Sequence, residues 1–486
     1  MATAVAQEQQ QQQQQHHQQR AGAGSSPSPP SPRLHVLDTT LVPPSGSPPP
    51  ETSLPLTFYD VLWLPLPPVE RLFLYRLAPD ADVHAIVSYL KDSLSRVLNA
   101  FYPLAGRLRL TPGTSNRYEL HYRLGDGVAF TVAEYAGDDS VFDGLATDEP
   151  RKVSTISPLV PALPAGGSAV LAVQATLLPG RRGRGLAVGV SVHHAAVDGS
   201  ASTQFLHAWA AAARTGAEAP PPVTDRSLVP DTRGLYDAFF KATAMSTTNE
   251  TEAVERPGAG DKLLATFTLA KDDVQHVKDV VAAEAMRRGV TPPRCTSLVA
   301  TLGFVWSCYQ RAKEDATSTG GDGQNTCLLF PVDHRSRMNP PLPANYVGNC
   351  VGPALALAPK AVLAGGGAGG LLSACAAVAA AIDEAVRGVG TDSMGGWMDR
   401  FTEVGGAMSM LTVAGSPRFR VYEMDMGFGS PEKVDIVSVA RTGALAVAES
   451  RRGDGGVEVG VPLPPDDMEQ FSKCFVDAIA GLHAHS

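Results

Sequence analysis

The stretch LAVGVSVHHAAVDGSASTQFLHAWA, residues 186–210, changes its hydrophobic period in the middle. Leu186, Val188, Val190 and Val192 alternate with the other positions, the two-residue repeat of a strand that buries one face. After Asp198 and Gly199 the apolar residues take helical spacing, with Phe205 and Trp209 on one face. Asp198 and Gly199 form the Asp-Gly turn between strand and helix. A strand that ends in a polar turn and continues as a helix places the turn's side chains at the mouth of a cleft. The turn carries His193, His194 and Asp198, and of these His193 reads as a packed neighbour with no chemical role, because adjacent strand residues face opposite ways.

Working upstream, the turn PGRRGRG joins this strand to another over Val170 to Leu178, and the two read as a hairpin. Further strands are expected at RLHVLDTTLV (33–42), Leu72 to Leu77, Tyr118 to Tyr122 and Val128 to Tyr135. Between them, Val83, Ile86, Val87, Leu90, Leu94, Val97 and Leu98 mark an amphipathic helix, capped by Asp80 or Asp82 and ended before Pro103 and Gly106. Downstream, RTGAEAPPPVTDRSLVPD is Pro-rich and aperiodic, which sets a domain boundary there and a crossover linker over 226–260. The remainder predicts helices at Asp272 to Arg287, Thr296 to Arg311, Leu371 to Val386 and Asp466 to Leu482. Strands are predicted near Leu328 to Val332, Gly352 to Leu357, Arg418 to Glu423, Val434 to Val439, Ala444 to Glu449 and Val457 to Val461. Each half mixes the two element types without strict alternation. The expected fold is therefore α/β of the mixed α+β kind, with an N-terminal domain at 33–225 and a C-terminal domain at 261–486. Residues 1–32, a Gln tract followed by Gly, Ser and Pro, have almost nothing to bury and read as a disordered tail.

Composition narrows the function. The chain has 486 residues, 44% hydrophobic and 18% charged, with a formal net charge of -9. Its Lys and Arg are scattered, so no basic face is available to follow a phosphate backbone, and nucleic acid is excluded as a partner. The six cysteines fall in the second half without a CxxC pair or a His cluster at zinc spacing. That pattern predicts no metal site and a reducing, cytoplasmic location. No secretory or transit segment is read at the start, and the apolar runs are taken as too short for a bilayer span, so no membrane partner is expected.

With 12 His and 49 acidic residues, about one His-x-x-x-acid spacing is expected by chance. Placement adds weight, since only His194 has an acid four residues on, at the strand end and just before Gly199. A His pair packed in the core before an ordinary Asp-Gly turn would give the same letters. A hydrolase using a serine nucleophile is disfavoured, because there is no GxSxG elbow and Ser191 lies within the strand.

Four motifs in order then resemble one family. HHAAVDG resembles the HxxxD motif of the BAHD acyl-CoA-dependent acyltransferases of plants, and DMGFG (425–429) resembles their DFGWG motif. NYVGNC (345–350) resembles the YFGNC motif of the clade that acylates anthocyanins and other flavonoid or phenolic glucosides, the malonyltransferase-like clade. The phrases LPLTFYDVLWLPLPPVERLFLY, YPLAGRL and VAGSPRFRVYEMDMGFG are similar to that clade too, so the likeness runs from about Arg33 to Leu482.

This resemblance implies two chloramphenicol acetyltransferase-like domains, each a mixed sheet flanked by helices, joined by a crossover loop and separated by a channel. It implies a monomer with no resident cofactor that takes acyl-CoA as co-substrate and a phenolic acceptor. The group moved would be malonyl or hydroxycinnamoyl, onto a glucoside hydroxyl; an amine acceptor, or a degenerate member that binds without turnover, are the alternatives. His194 would be the general base. Asp198 would be structural, paired with Arg335, with Gly199 completing the turn. Asp425, treated as catalytic in some accounts of the family, more naturally forms a turn with Gly427 and Gly429. Met426 and Phe428 keep the bulk of that motif but lose its indole N–H. Lys262 matches a basic position expected to meet CoA phosphate. Ser200 stands where many of the clade carry Arg or Lys, and Leu186 to Ala213 holds no cation, which weakens a malonyl donor. Val347 replaces the usual Phe.

Overall fold

The strand alternation of residues 186–192 has its physical outlet in a six-stranded mixed sheet, whose spatial order is Arg33–Val42, Val128–Ala136, Leu171–Leu178, Gly185–Val192, Val69–Arg76 and Lys433–Ile436. The computed structural model describes residues 33–46, 50–164, 168–250, 261–316, 325–389, 396, 397, 400 and 409–484. Leu171–Leu178 and Gly185–Val192 form the expected hairpin, paired antiparallel from Leu171 with Val192 to Leu178 with Gly185. Two long helices, Val83–Ala100 and Gly199–Thr215, cover one face of this sheet. Asp82 caps the first, accepting from the Ala85 N–H at 3.1 Å, and Leu90, Leu94, Val97 and Leu98 form its buried stripe. Trp209 locks the second helix onto it by donating to Ser93 Oγ at 3.0 Å. Phe205 beside it is fully covered, a burial that contributes about 1.5–3 kcal/mol before the ordering cost.

The second sheet has seven strands, in the order Val351–Pro359, Asn325–Asp333, Ser409–Gly415, Leu445–Glu449, Val457–Leu463, Leu263–Leu269 and Arg151–Lys152. Helices Lys271–Arg287, Ser297–Ala316, Gly367–Arg387 and Pro465–His483 bury their apolar stripes against it. The halves exchange short strands. Arg151–Lys152 pairs with Leu263–Leu269, and Lys433–Ile436 pairs with Val69–Arg76. The exchange is fastened by a buried fork, Arg151 Nη1 and Nη2 donating to Asp435 at 2.7 and 2.9 Å.

Several expectations are corrected here. Arg418 to Glu423 forms two tight 3-10 turns, Pro417–Phe419 and Val421–Glu423, about Arg420 at φ 51. The strand of that region is Ser409–Gly415, whose parallel pairing on both edges already fills the sheet. Pro417 has no N–H to offer a ladder. The strand expected at Val434 to Val439 stops at Ile436 and is followed by a helical turn, Val439–Thr442. The segment taken as a linker carries the helix Leu235–Glu250, on which Leu235, Tyr236 and Phe239 are buried against the first half. Among the described residues one helix, Gly367–Arg387, is long and apolar enough to cross a bilayer, contrary to the reading of its Ala-rich sequence. Leu371, Cys375 and Val378 are buried in the second core, which accounts for its apolarity within the fold. The Gln-rich tail, 1–32, lies outside the described residues.

Candidate active site

His194 sits on the turn between the strand Gly185–Val192 and the helix Gly199–Thr215. The turn is built locally, with His193 N–H donating to Val170 O at 2.8 Å and Ala196 N–H to His193 O at 3.0 Å. Asp198 caps the helix by accepting from Ala201 N–H at 2.9 Å. The same carboxylate accepts from Arg335 Nη1 and Nη2 at 2.8 and 3.0 Å, and from Cys350 N–H at 2.9 Å. Arg335 also donates to the carbonyl oxygens of Tyr346 and Gly348. Asp198 and Arg335, both buried, therefore tie the histidine turn to the 345–350 loop of the other half.

That loop brings Asn349 to the histidine. Asn349 Nδ2 donates to Asp60 Oδ1 at 2.9 Å and to the His194 carbonyl at 2.8 Å. With both amide hydrogens used, Oδ1 is the acceptor, and it lies 3.2 Å from His194 Nδ1. Nδ1 thus carries the proton, and Nε2 keeps its lone pair. Asp60 is itself fixed, accepting from Thr57 N–H at 2.8 Å and Thr57 Oγ1 at 2.7 Å. Trp63 stacks on the imidazole, 3.7 Å between centroids and 10° between planes.

Burial holds the His194 pKa below the usual 6.5, with Asp198 and the Asn349 hydrogen bond opposing and the Arg71 cation adding to the depression. The ring is neutral at pH 7. Burial, with a smaller push from His194, takes His193 down to about 4. His193 Nδ1 accepts from Ala195 N–H, and His193 is absent from the cleft lining.

His194 opens onto a cleft of about 2800 Å³ between the halves. Trp63, Arg71 and Ser200 line it from the first half, and Phe330, Ser416 and Phe419 from the second. Lys262 also lines it, with Nζ donating to Ala440 O at 2.9 Å. Arg294 and Arg418 add further positive charge to the wall. Gly199 lets Phe419 approach, since a Cβ there would stand 2.8 Å from Phe419 Cζ.

Asp425 is placed elsewhere. Its Oδ1 accepts from the N–H groups of Gly427 and Gly429 at 2.8 and 2.9 Å, and it is not among the residues lining the cleft. Gly427 and Gly429 have φ of 93° and 100°, which favours glycine at both. The loop packs on the first half through Tyr75, which donates to Met424 O and meets the Phe428 ring edge-on. Among the described residues no three His, Cys, Asp or Glu side chains gather to hold a metal ion.

Sequence reasoning missed four residues of this site: Asp60, Trp63, Arg71 and Asn349. All lie inside phrases it singled out, yet nothing in their spacing separates them from packing residues.

The Transferase family model matches residues 33–477. The malonyl-CoA:anthocyanidin 5-O-glucoside-6''-O-malonyltransferase of Arabidopsis thaliana is 34% identical, over 91% of this chain and 97% of its own. Phenolic glucoside malonyltransferase 1 of the same plant is 33% identical, over 90% of this chain and 96% of its own. Among solved structures, vinorine synthase superposes with a TM-score of 0.65 at 21% identity, covering 90% of this chain and 96% of its own, a likeness of fold.

Proposed function

The chain belongs to the Transferase family, the BAHD acyl-CoA-dependent acyltransferases, and from that premise we propose that it transfers a malonyl or hydroxycinnamoyl group from CoA to a hydroxyl of a phenolic or flavonoid glucoside. The observation that carries the reading is the free Nε2 lone pair of His194, held in the cleft by Asn349 and Asp60. A glucoside hydroxyl attacks a thioester poorly because its proton is retained near neutral pH. As its oxygen bonds to the thioester carbon, Nε2 takes that proton, a contribution of about 10²–10⁴ in rate. The C–S bond then breaks, the imidazolium returns the proton to the thiolate sulfur, and free CoA leaves beside the new ester. Donor and acceptor are bound together, and no acyl-enzyme forms.

Lys262, Arg294 and Arg418 are among the cations along the wall that can meet CoA phosphates, with Arg337 and Arg441 also in the lining. Asp198 and Arg335 hold the turn, and Asp425 holds its own loop. The enzyme is read as a monomer acting in the cytosol, and the absence of a disulfide among its six cysteines is in keeping with a reducing compartment.

The test is CoA thiol release by the full chain with a panel of acyl-CoAs and phenolic glucosides. Release that requires both donor and acceptor, and is abolished in His194→Ala, is the expected result. Release with water alone, or none with any pair, would overturn the reading.

A further inference from the structure

The described residues contain four buried arginines, Arg71, Arg151, Arg226 and Arg335. Arg151 and Arg335 fork onto Asp435 and Asp198, and Arg226 donates to Tyr346 Oη and the Val347 carbonyl. Each of those three also keeps an unbonded N–H group sealed from solvent. Arg71 differs. It is 5% exposed, and it lines the cleft that contains His194, which the other three do not. Its Nη1 donates to Thr203 Oγ1 at 2.8 Å, and its guanidinium lies 5.6 Å from the Phe419 ring centroid. Among the described residues no carboxylate is hydrogen-bonded to it, and its remaining N–H groups are not sealed. Asp198 is the nearby acid, and Arg335 already occupies it.

A buried cation that lines a cleft and has no carboxylate hydrogen-bonded to it is costly unless a bound anion completes it. The anion must come from whatever occupies the cleft at His194. In the transferase read above, on which this rests, that occupant is the acyl group. A malonyl group carries a carboxylate one methylene from the carbonyl under attack, and a guanidinium offers paired donors shaped for it. A hydroxycinnamoyl group would leave the cation alone.

We propose that Arg71 is the donor-specificity residue, holding the free carboxylate of a malonyl-type acyl-CoA beside His194. The cation is supplied by the strand Val69–Arg76, not by the helix that follows His194. Burial pulls the Arg71 pKa down to about 10, still charged at neutral pH.

Two arms test this with one acceptor glucoside. In the unmodified protein, malonyl-CoA is compared with its methyl ester, similar in shape but without the charge. The ester is expected to lose about 10- to 100-fold in kcat/KM. In Arg71→Met, the ratio of malonyl-CoA to acetyl-CoA turnover is expected to fall by a similar factor, with Arg71→Lys between. Equal use of malonyl-CoA and its ester, or an unchanged ratio in Arg71→Met, overturns the proposal. A chain that uses coumaroyl-CoA and not malonyl-CoA overturns it while leaving the acyltransferase reading intact. No transfer from any donor removes that reading itself. If Arg71→Met does not fold, the ester comparison and Arg71→Lys decide.

Discussion

His194 Nδ1 and Asn349 Oδ1 lie 3.2 Å apart, and the same amide donates to the His194 carbonyl at 2.8 Å. One side chain thus grips both the ring and the backbone of the base. The two residues come from different halves of the chain, and Asp60 of the first half fixes the amide in turn. The tautomer needed for proton abstraction is a property of the assembled halves, not of the histidine turn alone.

Replacing Asn349 by Leu keeps the bulk and removes that grip. The ring can then present Nδ1–H or Nε2–H to the cleft, so kcat is expected to fall on the order of 10- to 1000-fold, while KM for acyl-CoA changes little. Steady-state kinetics on a variant with an unaltered circular dichroism spectrum check this. A rise in KM alone would mean that Asn349 contacts substrate and does not orient the base.

The pH profile follows from the depressed His194 pKa. A general base works only unprotonated, so activity is lost as pH falls through the folded pKa, which lies below 6.5. The kcat/KM profile should be level through neutral pH with an acid limb centred below 6.5. Since the Arg71 cation adds to the depression, Arg71→Met should move that limb to higher pH. A limb centred at or above the usual histidine value would show that burial does not govern the ring.

Much of this was legible in the sequence because it is periodic or local. The hairpin, the helix capped by Asp82, and the turn carrying His194 follow from alternation, helical spacing and one Asp-Gly step. The exchange of Arg151–Lys152 and Lys433–Ile436 was not, because a strand's partner is set by the register of distant segments and leaves no trace in its own letters. Arg418 to Glu423 alternates like a strand yet finds no free sheet edge. Arg71 follows Glu70 just ahead of the strand expected at Leu72 to Leu77, and its role depends on a cleft that only the folded halves create.

Arg335 and Asp198 form a buried pair, so removing one partner leaves the other uncompensated. Arg335→Met is expected to destabilise the chain by about 3–5 kcal/mol in chemical denaturation. Adding Asp198→Asn should recover part of that loss, because the stranded charge is gone while an oxygen remains for the Ala201 or Cys350 N–H. If the double variant were less stable than Arg335→Met by the full cost of Asp198→Asn alone, the two side chains would not be coupled, and another contact would have to anchor the turn.

Asp425 separates a turn from a catalyst. Its Oδ1 serves two glycine N–H groups, a task that an amide oxygen performs nearly as well as a carboxylate. Asp425→Asn is therefore expected to keep kcat within about threefold, whereas Asp425→Ala leaves both N–H groups without this acceptor and lowers stability by about 1–3 kcal/mol. Gly429→Ala should destabilise similarly by backbone strain at φ 100°, because nothing lies within 4 Å of the added methyl. Unfolding midpoints and kcat measured together on the three variants decide it. A large fall in kcat in a stable Asp425→Asn would require the carboxylate's charge for the reaction, and the loop would then have to move to bring it to the cleft.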